Sequence, residues 1–157
     1  MAEAIIIDWY GPYNSKDDLR HEAKDFNDGT AILYMALKNR NIVNYIGMTT
    51  KPHSRFDNHE KLANAAHKHF YIGEITTRGA GGRRSTKHRS DHRMAEQALI
   101  AYLQPALNSN LREKDLEDCC VVYSRFFSVL NGEEPINVLP KFPRVIAYNS
   151  WSEEWDS

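Results

Sequence analysis

The stretch AILYMALKNRNIVNYIGMTTKPHSRFDNH, from Ala31 to His59, decides how the rest of the chain is read. Two short apolar runs flank the polar turn Asn39-Arg40-Asn41, which predicts a β-hairpin. Ile32, Tyr34 and Ala36 alternate along one strand and Val43, Tyr45 and Gly47 along the other, so both tyrosines can point to one side of the sheet. Pro52 suits a helix start, and a helix over residues 52–67 sets Arg55 and His59 one turn apart on one face. Phe56, Leu62, Ala63 and Ala66 would pack that helix on the sheet. Phe70 to Thr76 predicts a third strand, and a glycine-rich basic loop follows from Thr77 to Arg89. A second helix starts near Asp91 or His92, carries Glu96, Leu99, Ile100 and Leu103 at helical spacing, and ends at Pro105. A carboxylate in line with an apolar stripe is costly to bury alone, so Glu96 belongs at the stripe's margin or against a positive group.

Outward from this core, Ala4 to Tyr10 is β-branched and aromatic and predicts a strand closed by Gly11-Pro12. Ser15 caps a helix whose first turn holds Asp17 and Asp18 and whose apolar face is Leu19, Ala23 and Phe26. Past Asn108, Leu111 to Asp118 has helical tendency. Val121 to Phe127 reads as a strand, with a helix through Cys119, Val122, Tyr123, Phe126 and Leu130 as the alternative. Pro135 to Pro143 reads as extended coil and Arg144 to Tyr148 as a last strand. The acidic end, Trp151 to Asp156, can dock on the domain or a neighbour, or imitate nucleic-acid charge. The expected fold class is a small α/β (α+β) domain. It has a three-stranded, mostly antiparallel sheet flanked by helices, a core over residues 29–108, and strand/helix extensions at 1–28 and 109–157.

The 157 residues suffice for one domain with a real core, and 41% hydrophobic content excludes a disordered chain. Only Cys119 and Cys120 occur, and adjacent cysteines bridge only under strain, so no disulfide framework is expected and a reducing, cytoplasmic setting is. No signal-like segment is present and Ala4 to Ile7 is too short for a bilayer, so no membrane partner is expected. The net charge of -1 conceals segregation, because residues 31–95 hold 12 Lys and Arg against 4 Asp and Glu. That excess falls on the hairpin, the segment after it and the basic loop, where a polyphosphate would lie. In the loop, glycines let backbone follow a phosphate chain while Arg78, Arg83, Arg84, Lys87 and Arg89, with Arg93 just beyond, neutralise it. His67-Lys68-His69 invites a zinc reading, but residues two apart on a strand point oppositely and no cysteine has ligand spacing.

Taken in order, Ile32-Leu33-Tyr34, Tyr45-Ile46-Gly47, Arg55 with His59, and Glu96, Leu99, Ile100, Pro105 and Asn108 resemble the GIY-YIG nuclease family. The first half of the name motif keeps its tyrosine and lacks its leading glycine; the resemblance spans Gly29 to Asn108. It implies a metal-dependent DNA endonuclease that hydrolyses phosphodiester bonds, of bacterial or phage restriction, defence or genome-attack type. It gives Tyr34 the role of base, directly or through the attacking water, and Tyr45 that of orienting water or phosphate. Arg55 would grip the scissile phosphate, and His59 would donate to a phosphate oxygen or help activate the nucleophile. Asn108 would hold a tyrosine or the Glu96 helix in register. Glu96, the one carboxylate nominated, would bind Mg²⁺ or Mn²⁺ together with waters and the phosphate. A single site cuts one strand, so double-strand cleavage would need a homodimer or sequential nicking. RNA stays open as the substrate, and the alternative function is a non-cleaving nucleic-acid-binding or regulatory module on the same fold.

Overall fold

A computed structural model of the chain describes residues 3–27, 29–57, 59–75, 89–108, 120–128, 142–149, 152 and 154–156. In chain order the elements are β1 (Glu3–Tyr13), α1 (Lys16–Ala23), β2 (Ile32–Asn39), β3 (Ile42–Thr49) and β4 (His69–Ile75), then α2 (Arg89–Leu103), β5 (Cys120–Ser128), β6 (Val145–Asn149) and β7 (Glu154–Asp156). Among the described residues the strands make a single seven-stranded sheet in the order β3-β2-β4-β1-β5-β6-β7.

This overturns the expected small three-stranded sheet flanked by helices with strand/helix extensions. The hairpin and third strand do form an antiparallel trio, β3-β2-β4. The N-terminal run, however, is central: β1 pairs antiparallel with β4 and parallel with β5, Ile7 lying opposite Ile75 on one side and Ser124 on the other. A parallel pairing between segments so far apart has no connecting turn to announce it. Because β1 needs backbone partners on both sides, it continues through Gly11-Pro12 to Tyr13, with its register to β4 shifting between Tyr10 and Tyr13. The segment from Val121 is a strand, its residues alternating between buried and less buried along β5, which settles against the helical alternative. At the C-terminal end β7 pairs with β6, and the Trp155 ring packs 4.8 Å from Tyr148 and 5.6 Å from Tyr102. The expected helix over Leu111 to Asp118 and most of the coil from Pro135 lie outside the described residues.

The expected helix over 52–67 is a run of turns instead. Arg55 N–H bonds to Lys51 O (2.9 Å) and Ala63 N–H to His59 O (3.2 Å), but side chains divert the donors in and around these turns. Thr49 Oγ1 accepts from Lys51 N–H (2.9 Å), His59 Nδ1 from Leu62 N–H (3.4 Å) and Asn64 Oδ1 from Ala66 N–H (2.9 Å). Such local bonds compete directly with the helical ladder.

Strand alternation splits the buried residues between two faces. Ile5, Ile7, Trp9, Leu33, Met35 and Leu37 pack with Ala95, Ala98 and Leu99 of α2. Ile32, Tyr34, Ala36 and Tyr45 pack with Leu19 and Ala23 of α1 and with Phe56 and Leu62 of the turns. Ser15 caps α1, its hydroxyl accepting from Asp18 N–H at 3.1 Å. No helix among the described residues is long and apolar enough to cross a membrane.

Trp9 fixes the junction of the two halves of the sheet. It is fully buried opposite Gly73, its indole N–H bonds to Ser124 Oγ at 3.2 Å, and a Cβ at position 73 would stand 2.8 Å from the ring. Gly73→Ala is therefore expected to cost about 1–3 kcal/mol by overpacking, read as a lower urea midpoint with an unchanged denaturant slope.

Candidate active site

Tyr34 is the centre of the second cluster, fully buried, and Gly47 is its direct cross-strand partner. The ring lies over the glycine so closely that an added Cβ would stand 2.4 Å from Tyr34 Cζ and 2.5 Å from Oη. The glycine of Tyr45-Ile46-Gly47 thus makes room for the other tyrosine. Phe56 meets the Tyr34 ring edge-on at 4.9 Å and holds it from the turn side.

Two basic side chains converge on the Tyr34 oxygen. Arg55 Nε donates to it at 3.1 Å, and His59 Nε2 lies 3.1 Å from it. The two ring nitrogens have different partners: Nδ1 lies 3.4 Å from the Leu62 N–H, and Nε2 faces the Tyr34 hydroxyl, so the ring tautomer decides which of the two, hydroxyl or Nε2, donates. Arg55 Nη2 comes within 3.3 Å of the same nitrogen. Burial, then the nearby Arg55, Lys16 and Lys61 cations, push the His59 imidazole down to about 4, so the ring is neutral at physiological pH. Burial, with the neighbouring Tyr45, drives the Tyr34 phenol well above its ordinary value, while the Arg55 bond pulls the other way. Tyr45, 9% exposed, sits 6.2 Å from the Tyr34 ring and 5.1 Å from His59, and burial raises it too.

Glu96 enters from α2, the helix on the opposite face. Burial pushes its carboxyl up to about 7, against Arg93, the Met48 backbone N–H and Arg55, which favour the charged form. Its charge in turn disfavours ionisation of both Tyr34 and Tyr45, so the three belong to one electrostatic neighbourhood. Asn108 is buried and grips the backbone of Ile46 at both ends: Oδ1 accepts from Ile46 N–H at 2.9 Å and Nδ2 donates to Ile46 O at 2.8 Å. It therefore fixes the strand between Tyr45 and Gly47 and touches neither tyrosine through these bonds.

Of the basic residues expected to meet nucleic acid, Arg93 is exposed one turn before Glu96. Arg78, Arg83, Arg84 and Lys87 lie outside the described residues, and of Arg89 only the backbone lies within them. Two cations that the sequence reading missed stand at the site instead. Lys61 Nζ is 5.6 Å from the centre of the Tyr45 ring, and Lys16 opens α1 close enough to act on His59. Lys61 follows His59 by two residues and could have been nominated, whereas nothing local ties Lys16 to the motif. His67 is engaged elsewhere, between Asn44 Nδ2 (2.8 Å) and Leu62 O (3.2 Å). An open hollow of about 510 Å³ adjoins Arg55, lined by Met48, Thr49, Thr50, Lys51 and Ser54 as well. A second, of about 260 Å³, lies at the hairpin tip between Arg40 and Leu103 and shares no residue with the tyrosine cluster.

For a cation the donor set is sparse. Among the described residues no three His, Cys, Asp or Glu side chains gather. A hard divalent ion held by one carboxylate, with water and phosphate oxygens completing its shell, fits what Glu96 offers; a site made wholly of protein ligands does not.

Two expectations follow from this geometry. Gly47→Ala forces the Tyr34 ring aside, so urea unfolding should show a loss of about 1–3 kcal/mol, and the His59 titration followed by NMR should move up from about 4 as the Arg55 contact loosens. Glu96 binds a proton more tightly folded than unfolded, so stability falls as pH rises from 4.5 through about 7. Glu96→Gln should accordingly raise the melting temperature at pH 8 by roughly 3–6 °C, allowing ~1–2 kcal/mol after solvent screening, and change it little near pH 4.5.

No family model, no curated protein and no solved structure matches the chain.

Proposed function

We propose that the chain is a metal-dependent endonuclease that hydrolyses phosphodiester bonds in DNA, on the plan of the GIY-YIG family that its sequence resembles. The observation that carries this reading is the Tyr34 oxygen, met by Arg55 Nε and by His59 Nε2, each at 3.1 Å, where Arg55 reaches solvent. The Arg55 guanidinium on the phenol oxygen stabilises the phenolate whenever it forms, with the His59 imidazole beside it.

In this mechanism Tyr34, as the phenolate, takes a proton from the water that attacks phosphorus. Arg55 and His59 hold its oxygen in place meanwhile. The outer edge of the Arg55 guanidinium, exposed to solvent, grips the non-bridging oxygens, for which its fixed donors suit. Tyr45 borders the same space and orients water or phosphate. As the water's oxygen bonds to phosphorus, the bond to the departing sugar oxygen breaks, and that oxygen takes a proton from solvent. Mg²⁺ bound at Glu96 would supply charge neutralisation on the phosphate and acidify the attacking water. The ionised Glu96 that such an ion requires is present above about pH 7.

The competing reading, a non-cleaving nucleic-acid-binding module, uses the same cations but gives the half-buried Glu96 carboxyl no role beyond its bond to the Met48 N–H. The deciding experiment incubates purified protein and supercoiled plasmid with Mg²⁺, beside EDTA and the Glu96→Ala and Tyr34→Phe variants. Nicking or linearisation is expected from the wild type alone, with the variants slower by about 10²–10³-fold. The rate should climb from pH 6 to pH 9 without a falling limb, first as Glu96 ionises near 7 and then as the Tyr34 phenolate grows. Equal cutting by Glu96→Ala, or none by the wild type across several divalent ions, removes the nuclease assignment. Binding without cutting would transfer it to the module.

A further inference from the structure

We propose that the hollow lined by Met48, Thr49, Thr50, Lys51, Ser54 and Arg55 binds a second backbone phosphate of the substrate strand, next to the one gripped at Tyr34. This rests on the nucleic-acid substrate argued above and adds where the strand runs. At about 510 Å³ the hollow is open to solvent and has room for a phosphate group. Its lining offers an ammonium, a guanidinium and hydroxyls, and among the described residues no carboxylate lines it. Lys51 and Ser54 are exposed, and among the described residues no acid pairs with the Lys51 ammonium.

The walls are held before any ligand arrives. Thr49 Oγ1 accepts the Lys51 N–H at 2.9 Å, Lys51 O accepts from Ser54 N–H (3.3 Å) and Arg55 N–H (2.9 Å), and Thr50 O accepts from Gly29 N–H at 2.8 Å. These bonds fix the turn in a shape that presents Lys51, Ser54 and Arg55 to one opening. Preorganised donors lose little entropy on binding an anion.

Arg55 links the hollow to the chemistry. Its Nε is committed to Tyr34, while the same side chain lines the hollow. A strand whose scissile phosphate meets Arg55 on the tyrosine side carries its next phosphate close by, since each strand of a duplex presents one per ~3.4 Å of axis. Contacts of this kind set register along the backbone and read no bases. The other flank has its own cations in Lys16 and Lys61, both acting on His59. Lys51 is not among the main charges acting on Tyr34, Tyr45, His59 or Glu96, so it can be removed without altering the ionisation of the cluster.

The test measures binding of a short fluorescent DNA duplex by anisotropy against salt, in a Glu96→Gln background that suppresses cutting. Lys51→Ala is compared with Lys51→Arg and with Lys38→Ala at the hairpin tip. Lys51→Ala should flatten the slope of log affinity against log salt by about 0.9 and weaken binding roughly 3–10-fold, with Lys51→Arg restoring both and Lys38→Ala changing neither. In the cutting-competent protein Lys51→Ala should raise KM and leave kcat within about twofold. An unchanged slope in Lys51→Ala, in a protein that binds and cuts, overturns the hollow as a phosphate site and leaves the nuclease reading standing. A protein that binds no DNA at all overturns both. Binding with the predicted loss of slope but no cutting upholds the phosphate site and removes only the nuclease.

Discussion

The open edge of β3 is the constraint on which the candidate site depends. An edge strand presents a row of unpaired backbone groups, which invites pairing with another chain unless something covers it. In β3 that row belongs to Asn44, Ile46 and Met48, whose backbone groups alternate away from β2. Each is met by α2 or the turn that follows it. Leu107 N–H bonds to Asn44 O at 2.9 Å, Asn108 takes both groups of Ile46, and the Met48 N–H supports the Glu96 carboxylate. One carboxamide here does the work of a strand neighbour, and the same row of contacts that seals the edge carries Glu96 to the tyrosines.

Burial, rather than partner charge, governs the electrostatics of this cluster. Tyr34, Tyr45, Glu96 and His59 are all shifted towards their neutral forms, and in each the largest cause is loss of water. Arg55 is left as the fixed charge among them. The free site therefore holds neutral acids beside fixed cations, a balance that a bound phosphate and cation would change. The far half of the sheet is arranged differently. There Asp8 and Arg125, opposite one another on β1 and β5, make a two-pronged ion pair at 2.6 and 2.9 Å, beside the bonded Trp9 and Ser124. In that half the charges of Asp8 and Arg125 neutralise one another within the fold, whereas at the β3 end the titratable groups are kept neutral by burial.

The elements legible in the sequence were those whose signal is local. Alternation in Ile32 to Gly47 gave the hairpin, Ser15 gave the start of α1, and the stripe through Glu96 and Leu99 with Pro105 beyond it gave α2. The order of motif residues placed Tyr34, Arg55 and His59 together, and they are in contact. What escaped was non-local. Nothing near Ile5 announces that it pairs with Val122, so a central strand read as an extension. Nothing in 52–67 announces that Thr49, His59 and Asn64 would take backbone donors, so a chain of turns read as a helix. Lys16 belongs beside His59 only because α1 packs on the tyrosine face, a fact that no spacing within α1 encodes.

The position of the site within the sheet follows from the same geometry. Tyr34 projects towards α1 and the turns, whereas Glu96 belongs to the helix covering the opposite face. A side chain on one face of an unbroken sheet cannot act on the other, because the hydrogen-bonded strands lie between them. At β3 the sheet ends, and a carboxyl reaching the outward Met48 N–H stands where both faces are in reach. Gly47, next to Met48, adds no side chain there and lets the Tyr34 oxygen approach the strand from the other side. A tyrosine from one core and a carboxylate from the other can share a substrate at this edge and not across β4 or β1, which are paired on both sides.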